Sequence, residues 1–223
     1  MGLLNNPQTI IAIVPALLIA LTFHEYAHAR VAYVYGDRTA LMSGRMTLNP
    51  ISHLDPIGTL MILLVGFGWA RPVPINPSMF RDLRGGLLWV SLAGPLTNFA
   101  MGFLAMLLLA FLLSVGIIGG GTVGELFLLF MIVLIQLNII LGLFNLLPIP
   151  PLDGSKILAS QLPSSSMGLY RQIEAYAPLI LIFLLVFGVL GAILWPLAGL
   201  IVSIFDVIVS TVTGISIAPY LMF

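Results

Sequence analysis

Three ionisable side chains lie close together in the first apolar stretch of the sequence. His24-Glu25-Tyr26-Ala27-His28 matches the pattern H-E-x-x-H. On an α-helix, residues four apart project from the same face, so both imidazoles can reach one metal ion. Glu25 lies about 100° round the helix from His24, which suits a base acting on water beside the metal better than a third ligand. A chance pair of helix histidines is the alternative, but three ionisable groups in a membrane helix are costly and indicate function.

A catalytic zinc site usually takes three protein ligands and keeps a fourth position open. Asp153 is a candidate for the third ligand because it follows an apolar stretch, in Asn145–Gly154 (NLLPIPPLDG), where three prolines stop a helix and a glycine permits a tight turn. A helix end broken in this way can aim a carboxylate back into the membrane. The same residues also fit a helix terminator with an ordinary turn aspartate, and both interpretations stay open on the residues alone. The remaining histidine and the other acids outside the motif are His53, Asp37, Asp55, Asp82, Glu125, Glu174 and Asp206.

The composition assigns these residues to a membrane protein. Of the 223 residues, 60% are hydrophobic and 7% are charged, whereas a soluble domain carries about 25% charged residues. The formal net charge of zero argues against nucleic acid as a partner. The sequence has no cysteine, which excludes disulfides and thiolate metal ligands. Met1–Gln8 contains no Lys or Arg, so it lacks the basic segment of a signal peptide and the first apolar stretch is expected to be retained.

Several apolar stretches are long enough to cross a bilayer, which takes about 20 residues. A further apolar stretch, Ile57–Trp69, is shorter and contains glycines, so it is predicted to be re-entrant. Leu41–Leu48 and Pro72–Asn76 are short segments of extended character, the second with prolines that prevent a helix, and they predict a small membrane-embedded β-hairpin or sheet. The predicted fold is therefore an all-α polytopic membrane protein with about five to six transmembrane helices, a re-entrant segment and that hairpin. The predicted spans are Thr9–Tyr35, Gly86–Val115, Val123–Leu147, Ala175–Trp195 and Pro196–Ile215.

The basic residues predict the orientation of these spans, because cytoplasmic loops carry an excess of Lys and Arg. If Ile57–Trp69 is re-entrant, the basic loop residues all fall on one side, and the opposite segments Met1–Gln8 and Gly116–Thr122 have none. The chain is then a multi-pass protein of the cell membrane with its N-terminus outside. Asp153 and the second half of the first span meet on the cytoplasmic side. The basic loop residues are Arg38, Arg45, Arg71, Arg81, Arg84, Lys156 and Arg171.

His24–His28 and Asn145–Gly154 together resemble the site-2 protease family of intramembrane zinc metalloproteases. The paired signatures of that family are H-E-x-x-H in one span and N-x-x-P-x-P-x-L-D-G at the end of a later one, and both match. Residues 49–56, 71–77 and 93–98 also resemble bacterial and archaeal members. The resemblance runs from about Thr22 to Gly154.

The resemblance implies a set of roles for the site. His24, His28 and Asp153 would bind one zinc ion, and Glu25 would be the catalytic base. The resemblance also suggests substrate or transition-state contacts, from Asn145 and His53. It implies a compact member without a PDZ or other appended domain: residues 1–223 form one domain, with the catalytic core at about 9–154 and two further spans at 175–215.

The function implied is that of an intramembrane endopeptidase, which hydrolyses peptide bonds within or near transmembrane segments in regulated intramembrane proteolysis. Its partners would be transmembrane protein substrates and the lipid bilayer, and a homo-oligomer stays open. The main alternative is a membrane metal transporter with an intramembrane His/Asp site. Transporters often have two halves with corresponding broken segments, and the sequence has no such symmetry. A second alternative is an inactive relative that binds membrane helices, although every chemical group for hydrolysis is present.

Overall fold

Long helices make up most of the chain in the computed structural model, which describes residues 7–58, 70–118 and 120–221. Four of them are long and apolar enough to cross a membrane, namely α1 from Gln8 onward, α3, α4 and α7. A hydrocarbon environment favours helices because each satisfies its own backbone hydrogen bonds. The helices are α1 (Pro7–Val34), α2 (Thr39–Met42), α3 (Leu83–Ser114), α4 (Thr122–Asn145), α5 (Asp153–Gln161), α6 (Met167–Val186) and α7 (Val189–Thr213).

The first three long helices, α1, α3 and α4, pack on one another and form the centre of the molecule. Ala12, Ala16 and Ala20 recur every fourth residue of α1 and are buried, so the small side chains let α1 approach its neighbours closely. Met106 of α3 and Ile135 of α4 are fully buried in the main hydrophobic core. α7 packs on α3 and α4, whereas α6 packs mainly on α7 and lies at the periphery.

The boundary between the last two predicted spans is wrong. Ala175–Trp195 and Pro196–Ile215 were predicted to meet at the proline, but Pro196 lies inside α7. The chain instead breaks at Gly188, whose φ of 71° is a left-handed conformation that glycine adopts readily. Proline can stay inside a membrane helix when neighbouring groups satisfy the freed backbone. The apolar part of α6 is then only Gln172–Val186, which is shorter than a span, so the predicted number of spans is not supported.

The predicted β-hairpin is also wrong for the part of the chain that the structure describes. Leu54 and Ala70 form one isolated antiparallel bridge, and no strand forms in the described ranges. Pro72–Asn76 is extended without a strand partner, because its prolines lack N–H donors. The prediction that Ile57–Trp69 is re-entrant falls mostly on residues 59–69, which lie outside the described residues.

The chain returns to the C-terminal end of α1 before α3 begins. The Arg81 N–H donates a hydrogen bond to the carbonyl of Tyr35 at 3.0 Å. The Asn76 N–H donates to the carboxylate of Asp37 at 2.7 Å, directly after α1. α3 therefore starts beside the end of α1 and runs back along it, which brings its first turns next to the H-E-x-x-H motif.

The acid in the last long helix, Asp206, has a structural role. Its carboxylate accepts hydrogen bonds from the Ser216 hydroxyl at 2.7 Å and from the N–H groups of Ile217 at 2.6 Å and Ala218 at 3.0 Å. These contacts fold the C-terminal residues back onto α7. Asp206 is thereby satisfied locally, at a distance in sequence from every predicted site residue.

Candidate metal centre

Two histidines of α1 and the first residue of α5 meet in the interior. The Nε2 atoms of His24 and His28 are 2.9 Å apart. One carboxylate oxygen of Asp153, Oδ2, lies 3.2 Å from His24 Nε2 and 3.0 Å from His28 Nε2. Each of the three residues is only 5% exposed. The prediction that these residues could hold one metal ion agrees with this geometry.

Acceptors on α3 decide which ring nitrogens of the two histidines carry hydrogen. His28 Nδ1 lies 2.6 Å from the backbone carbonyl of Val90, which can only accept, so Nδ1 is the donor. His24 Nδ1 lies 2.6 Å from the side-chain oxygen of Asn98 and is likewise the donor. In the neutral ring, hydrogen on Nδ1 leaves a lone pair on Nε2. Both Nε2 lone pairs therefore face the interior of the cluster.

A chain of buried amides fixes the orientation of Asn98. The Asn98 Nδ2 group donates to the carbonyl of Ala20 at 3.2 Å and to the side-chain oxygen of Asn138 at 2.9 Å. Asn138 in turn donates to the carbonyl of Leu134 at 2.8 Å, one turn earlier in α4. Both asparagines are fully buried. Because each amide nitrogen faces oxygen atoms, the Asn98 oxygen must point at His24, as a partner that orients a metal-binding histidine does.

The cluster brings together three acceptors, two imidazole lone pairs and one carboxylate oxygen. Groups of this kind repel one another at 2.9–3.2 Å unless a shared cation or added protons lie between them. Imidazole nitrogen and carboxylate oxygen are ligands that zinc takes in catalytic sites, with three protein ligands and one open position. The residues present therefore fit a zinc ion.

Gly94 of α3 provides the space beside the two imidazoles. A Cβ atom at this position would lie 2.5 Å from His28 Nε2 and 2.6 Å from His24 Nε2. Real Cβ atoms do not approach other atoms this closely. The absence of a side chain at Gly94 thus leaves free space beside the Nε2 atoms of both histidines.

The turn between α4 and α5 aims Asp153 at the histidines. It contains a cis peptide bond between Pro150 and Pro151 and closes with a hydrogen bond from the Leu152 N–H to the carbonyl of Ile149 at 2.9 Å. A Cβ on Gly154 would collide with backbone carbonyls at the end of α4, so glycine is needed for this close approach. Asp153 lies in the first turn of α5, where the helix dipole favours a negative charge.

Lys156 contacts the outer oxygen of the Asp153 carboxylate. Its ammonium nitrogen lies 3.3 Å from Oδ1, while Oδ2 faces the imidazoles. Burial acts to raise the pKa of Asp153, but hydrogen bonds from the imidazoles, which require added protons on Nε2, and the Lys156 charge outweigh it and hold that pKa well below its usual range. A cation in place of those protons favours the ionised form in the same way. Asp153 is therefore a carboxylate.

Glu25 stands outside the cluster, on the side of α1 that faces the extended residues 71–77, here called the proline segment. Its Oε2 atom accepts a hydrogen bond from the Val73 N–H at 2.7 Å. The proline segment is fixed at three further points. The Arg71 N–H donates to the carbonyl of His53 at 2.9 Å. Arg45 Nη2 donates to the carbonyl of Arg71 at 2.7 Å, and the Asn76 N–H donates to Asp37. Three contacts between side chains and backbone, together with this one backbone bond, take the place of the predicted strand pairing.

The two remaining predicted site residues are bonded elsewhere. The Asn145 amide donates to the carbonyl of Leu141 in its own helix at 3.0 Å. His53 is fully buried, and its Nε2 lies 2.8 Å from the carbonyl of Thr47. Among the described residues, no hydrogen bond joins either of them to the cluster.

Sequence reasoning missed several residues that contact the site. Asn98 and Asn138 carried a usable signal, since both are amides within apolar spans, where polar groups are costly. Lys156 and the Val90 carbonyl carried none, because their contacts join parts of the chain that only the fold brings together. Asp37 appeared in the sequence only as one acid among eight.

Comparison with known proteins identifies one family. Residues 114–188 match the model of Peptidase family M50. Putative zinc metalloprotease YwhC of Bacillus subtilis is 42% identical over 185 residues, which cover 83% of this chain and 84% of that protein. Putative zinc metalloprotease Rip2 of Mycobacterium tuberculosis is 34% identical over 79% of this chain and 66% of its own length. Putative zinc metalloprotease MJ0611 of Methanocaldococcus jannaschii is 30% identical over 61% and 63%. No solved structure matches the chain.

Proposed function

Because the chain belongs to peptidase family M50, we propose that it is an intramembrane zinc endopeptidase that hydrolyses peptide bonds within or near the transmembrane segments of other membrane proteins. The observation that carries the proposal is the buried cluster of two imidazole nitrogens and one carboxylate oxygen, at separations of 2.9–3.2 Å. The two imidazoles belong to the helix that bears Glu25. A metal-transit site would need no carboxylate held beside the ligands by a backbone N–H, so Glu25 favours hydrolysis over transport.

In this proposal His24, His28 and Asp153 hold the zinc ion. Bound zinc supplies Lewis acidity, which polarises a peptide carbonyl and acidifies a water molecule. Asn98 and the Val90 carbonyl keep hydrogen on the outer ring nitrogens of the histidines, so that the inner nitrogens stay available as ligands.

Glu25 acts as the general base and then as the acid. It takes a proton from the attacking water and delivers that proton to the amine that leaves when the peptide bond breaks. The Val73 N–H holds Oε2 at 2.7 Å and so fixes the carboxylate relative to the cluster. Among the described residues Oε1 accepts no hydrogen bond, so it is the atom assigned to carry the proton.

The substrate must present its peptide bond in extended form, because a helix hides each bond in an i to i−4 hydrogen bond. The proline segment offers an edge for such a strand. Among the described residues, the Ile75 N–H and the carbonyls of Val73, Pro74 and Ile75 make no hydrogen bond. Backbone pairing of the opened substrate with this edge would hold it beside Glu25. Asn145 and His53 complete the proposal as groups that contact substrate, each after releasing its present bond.

Purified protein in nanodiscs, assayed for bound zinc and for cleavage of a transmembrane peptide, tests the proposal. Glu25→Gln should retain one zinc per chain and lose cleavage by about 10²–10⁴-fold, since it removes the base and spares the ligands. Asp153→Ala should lose both zinc and cleavage because two protein ligands remain. A Glu25→Gln variant that cleaves like the wild type would contradict the assignment. An Asp153→Ala variant with full zinc would require another third ligand.

We also propose that the N-terminus lies outside the cell membrane and that the site opens toward the cytoplasmic side. The supporting contacts gather basic residues from both sides of residues 59–69 at one end of α1, among them the bond from Arg45 to the carbonyl of Arg71. Because the chain has no cysteine, single cysteines can report the side. Met42→Cys and Met79→Cys should react with an impermeant thiol reagent from the cytoplasmic side. Val123→Cys should react from the other side, and labelling of Met42→Cys and Met79→Cys from opposite sides would refute this orientation.

A further inference from the structure

A cavity adjoins the cluster of His24, His28 and Asp153, between the proline segment and the first turns of α3 and α5. Its volume is about 200 Å³, and His28 and Asp153 form one end of it, where Lys156 is paired with Asp153. The other walls are mainly apolar, with the buried Ser91 hydroxyl as a polar group among them. The apolar wall residues are Val73, Ile75, Pro77, Phe80, Leu87 and Val90.

The far wall of the cavity is fixed by packing. The Phe80 ring lies directly against Gly86. A Cβ atom added at Gly86 would lie 2.7 Å from the Cγ atom of Phe80, which is too close. The same ring packs edge-on against Tyr35, with centroids 6.3 Å apart. The cavity is therefore a preformed part of the fold, held by the junction of α1 and α3.

The position of the cavity relates it to the bond that would be cut. Val73 is the residue whose N–H holds Glu25, and its side chain lines the cavity that ends at His28 and Asp153. When a peptide carbonyl lies between Glu25 and the cluster, a substrate side chain next to that carbonyl can therefore reach the cavity.

The chemistry of the walls defines what fits. Apolar walls favour an uncharged side chain, because a charge buried among them would lose its hydration without a partner. A dry cavity of about 150 Å³ is known to hold a benzene ring. A cavity of about 200 Å³ therefore accepts a leucine, methionine or phenylalanine side chain, is only partly filled by alanine, and is too small for tryptophan.

We propose that this cavity is the specificity pocket of the enzyme and that it binds a medium-sized apolar side chain of the substrate directly next to the scissile bond. The proposal rests on the proposed function, since it assumes a peptide bond at the cluster. Leu87 and Ser91 are its specificity-determining residues from α3. Neither is a proposed zinc ligand or base.

The experiment varies the substrate and the pocket together. Mass spectrometry first locates the bond that the wild-type protein cuts in a transmembrane substrate. The residues on both sides of that bond are then replaced in turn by Ala, Leu, Phe, Trp and Asp, and kcat/KM is measured in nanodiscs. At one of the two positions, Leu and Phe should be cut about tenfold or more faster than Ala, Trp and Asp, the range expected of an apolar pocket.

Variants of the pocket should change this order in opposite directions. Leu87→Ala enlarges the cavity and should raise the rate for Trp relative to Leu by about tenfold, whereas Ser91→Leu fills it and should favour Ala over Phe. Leu104→Ala, at an exposed position of the same helix, is the matched control and should leave the order unchanged. Zinc content is measured for each variant to establish that the cluster is intact.

The outcomes separate the pocket from the proposed function. If wild type, Leu87→Ala and Ser91→Leu all cleave with the same side-chain preference, the proposal of a specificity pocket is wrong and the proposed protease function is unaffected. A wild-type protein that binds zinc and cuts no version of any transmembrane substrate would overturn both. A change of order that also occurs in Leu104→Ala would show a general effect on packing and would overturn the pocket as well.

Discussion

At the scale of single residues, the cluster of His24, His28 and Asp153 is assembled from side chains whose orientations are fixed by hydrogen bonds and packing. His24 and His28 are each held at Nδ1 by an acceptor of α3, at 2.6 Å in both cases. Asp153 is held by the turn before α5 and by Lys156. Preorganisation of this kind means that small changes behind the ligands should alter metal binding while the ligands themselves remain.

Gly94→Ala is expected to abolish zinc binding. The new methyl group would stand where the two Nε2 atoms face the cluster, so the imidazoles would have to move from their ligand positions. Zinc content after purification measures the effect, and cleavage should fall with it. Gly199→Ala, in α7, is the matched control because a Cβ added there would have no neighbouring atom within 4 Å among the described residues, and it should keep full zinc. Normal zinc in Gly94→Ala would mean that the metal lies elsewhere.

Asn138→Leu is expected to weaken zinc binding by up to about 10–100-fold, the usual effect of disturbing the partner of a metal ligand, which here is Asn98. Without the Asn138 oxygen, the Asn98 amide loses an acceptor that holds its oxygen toward His24. Competition with a zinc chelator measures the affinity. Asn145→Leu makes the same change in the same helix, where the amide bonds only its own helix, and should leave the affinity unchanged. Equal affinities in both variants and the wild type would exclude the amide chain from metal binding.

At the scale of elements, the helices and the irregular segments contribute different parts of the site. α1 supplies the two imidazoles and Glu25, which are the proposed ligands and base, α3 supplies the partners of the imidazoles, and the turn before α5 positions the Asp153 carboxylate. The proline segment pairs with no strand in the described ranges, so it is held by three side chains and by one backbone hydrogen bond, from the Arg71 N–H to the carbonyl of His53. A segment held in this way is more sensitive to a single substitution than one held by a ladder of backbone bonds.

Asp37→Asn is expected to reduce cleavage while zinc stays bound. The Asn76 N–H would lose its charged acceptor, Oδ2, and a hydrogen bond to a charged group contributes about 1.5–3 kcal/mol. The free energy of unfolding should fall by that amount. The value of kcat/KM should also fall, because the Val73 N–H of the same segment holds the Glu25 carboxylate. Asp55→Asn, whose carboxylate caps a local turn, is the control and should change neither quantity. Unchanged cleavage in Asp37→Asn would show that this anchor does not position the segment.

The sequence predicted the parts of these elements that depend on local patterns. The i, i+4 spacing of His24 and His28 predicted that both imidazoles lie on one face of α1, because helix geometry is a local property. The prolines before Asp153 predicted where the helix ends, but they left open whether Asp153 meets the histidines, and only the family resemblance implied that it does. The break at Gly188 was missed because either Gly188 or Pro196 can end a helix, and packing of α7 decides between them. The hairpin was predicted wrongly because its backbone donors bond to Glu25 and Asp37, which are distant in sequence.

At the scale of the whole molecule, the site lies inside the bundle below the end of α1. His28 precedes Val34, the last residue of α1, by six residues, which corresponds to a depth of about 9 Å at a rise of about 1.5 Å per residue. The cluster is buried among α1, α3 and α5. The number of apolar stretches was enough to predict a membrane bundle. The peripheral position of α6 was not predictable, because an apolar helix has the same composition whether it faces lipid or protein.

The depth of the cluster leads to a prediction about the form of the substrate. A site about 9 Å inside the bundle acts only on a peptide bond that reaches it in extended form. Helix-destabilising residues in the substrate span should therefore speed cleavage, because an interior Gly or Pro lowers the cost of unwinding by about 1–3 kcal/mol relative to Ala. Replacing them with Leu should slow cleavage, although Leu is the better membrane residue.

One substrate in three versions makes the comparison in nanodiscs: native, Leu-substituted, and a soluble peptide with the same bond but without the span. The soluble peptide should be cut slowest, since it lacks the apolar surface that brings the bond into the bilayer. The Leu-substituted span should bind as well as the native one and be cut more slowly, which places the difference in kcat rather than KM. Equal rates for all three versions would mean that water and unfolded peptides reach the cluster freely. In that case the burial of His24, His28 and Asp153 at 5% exposure would describe a closed form that opens before every turnover.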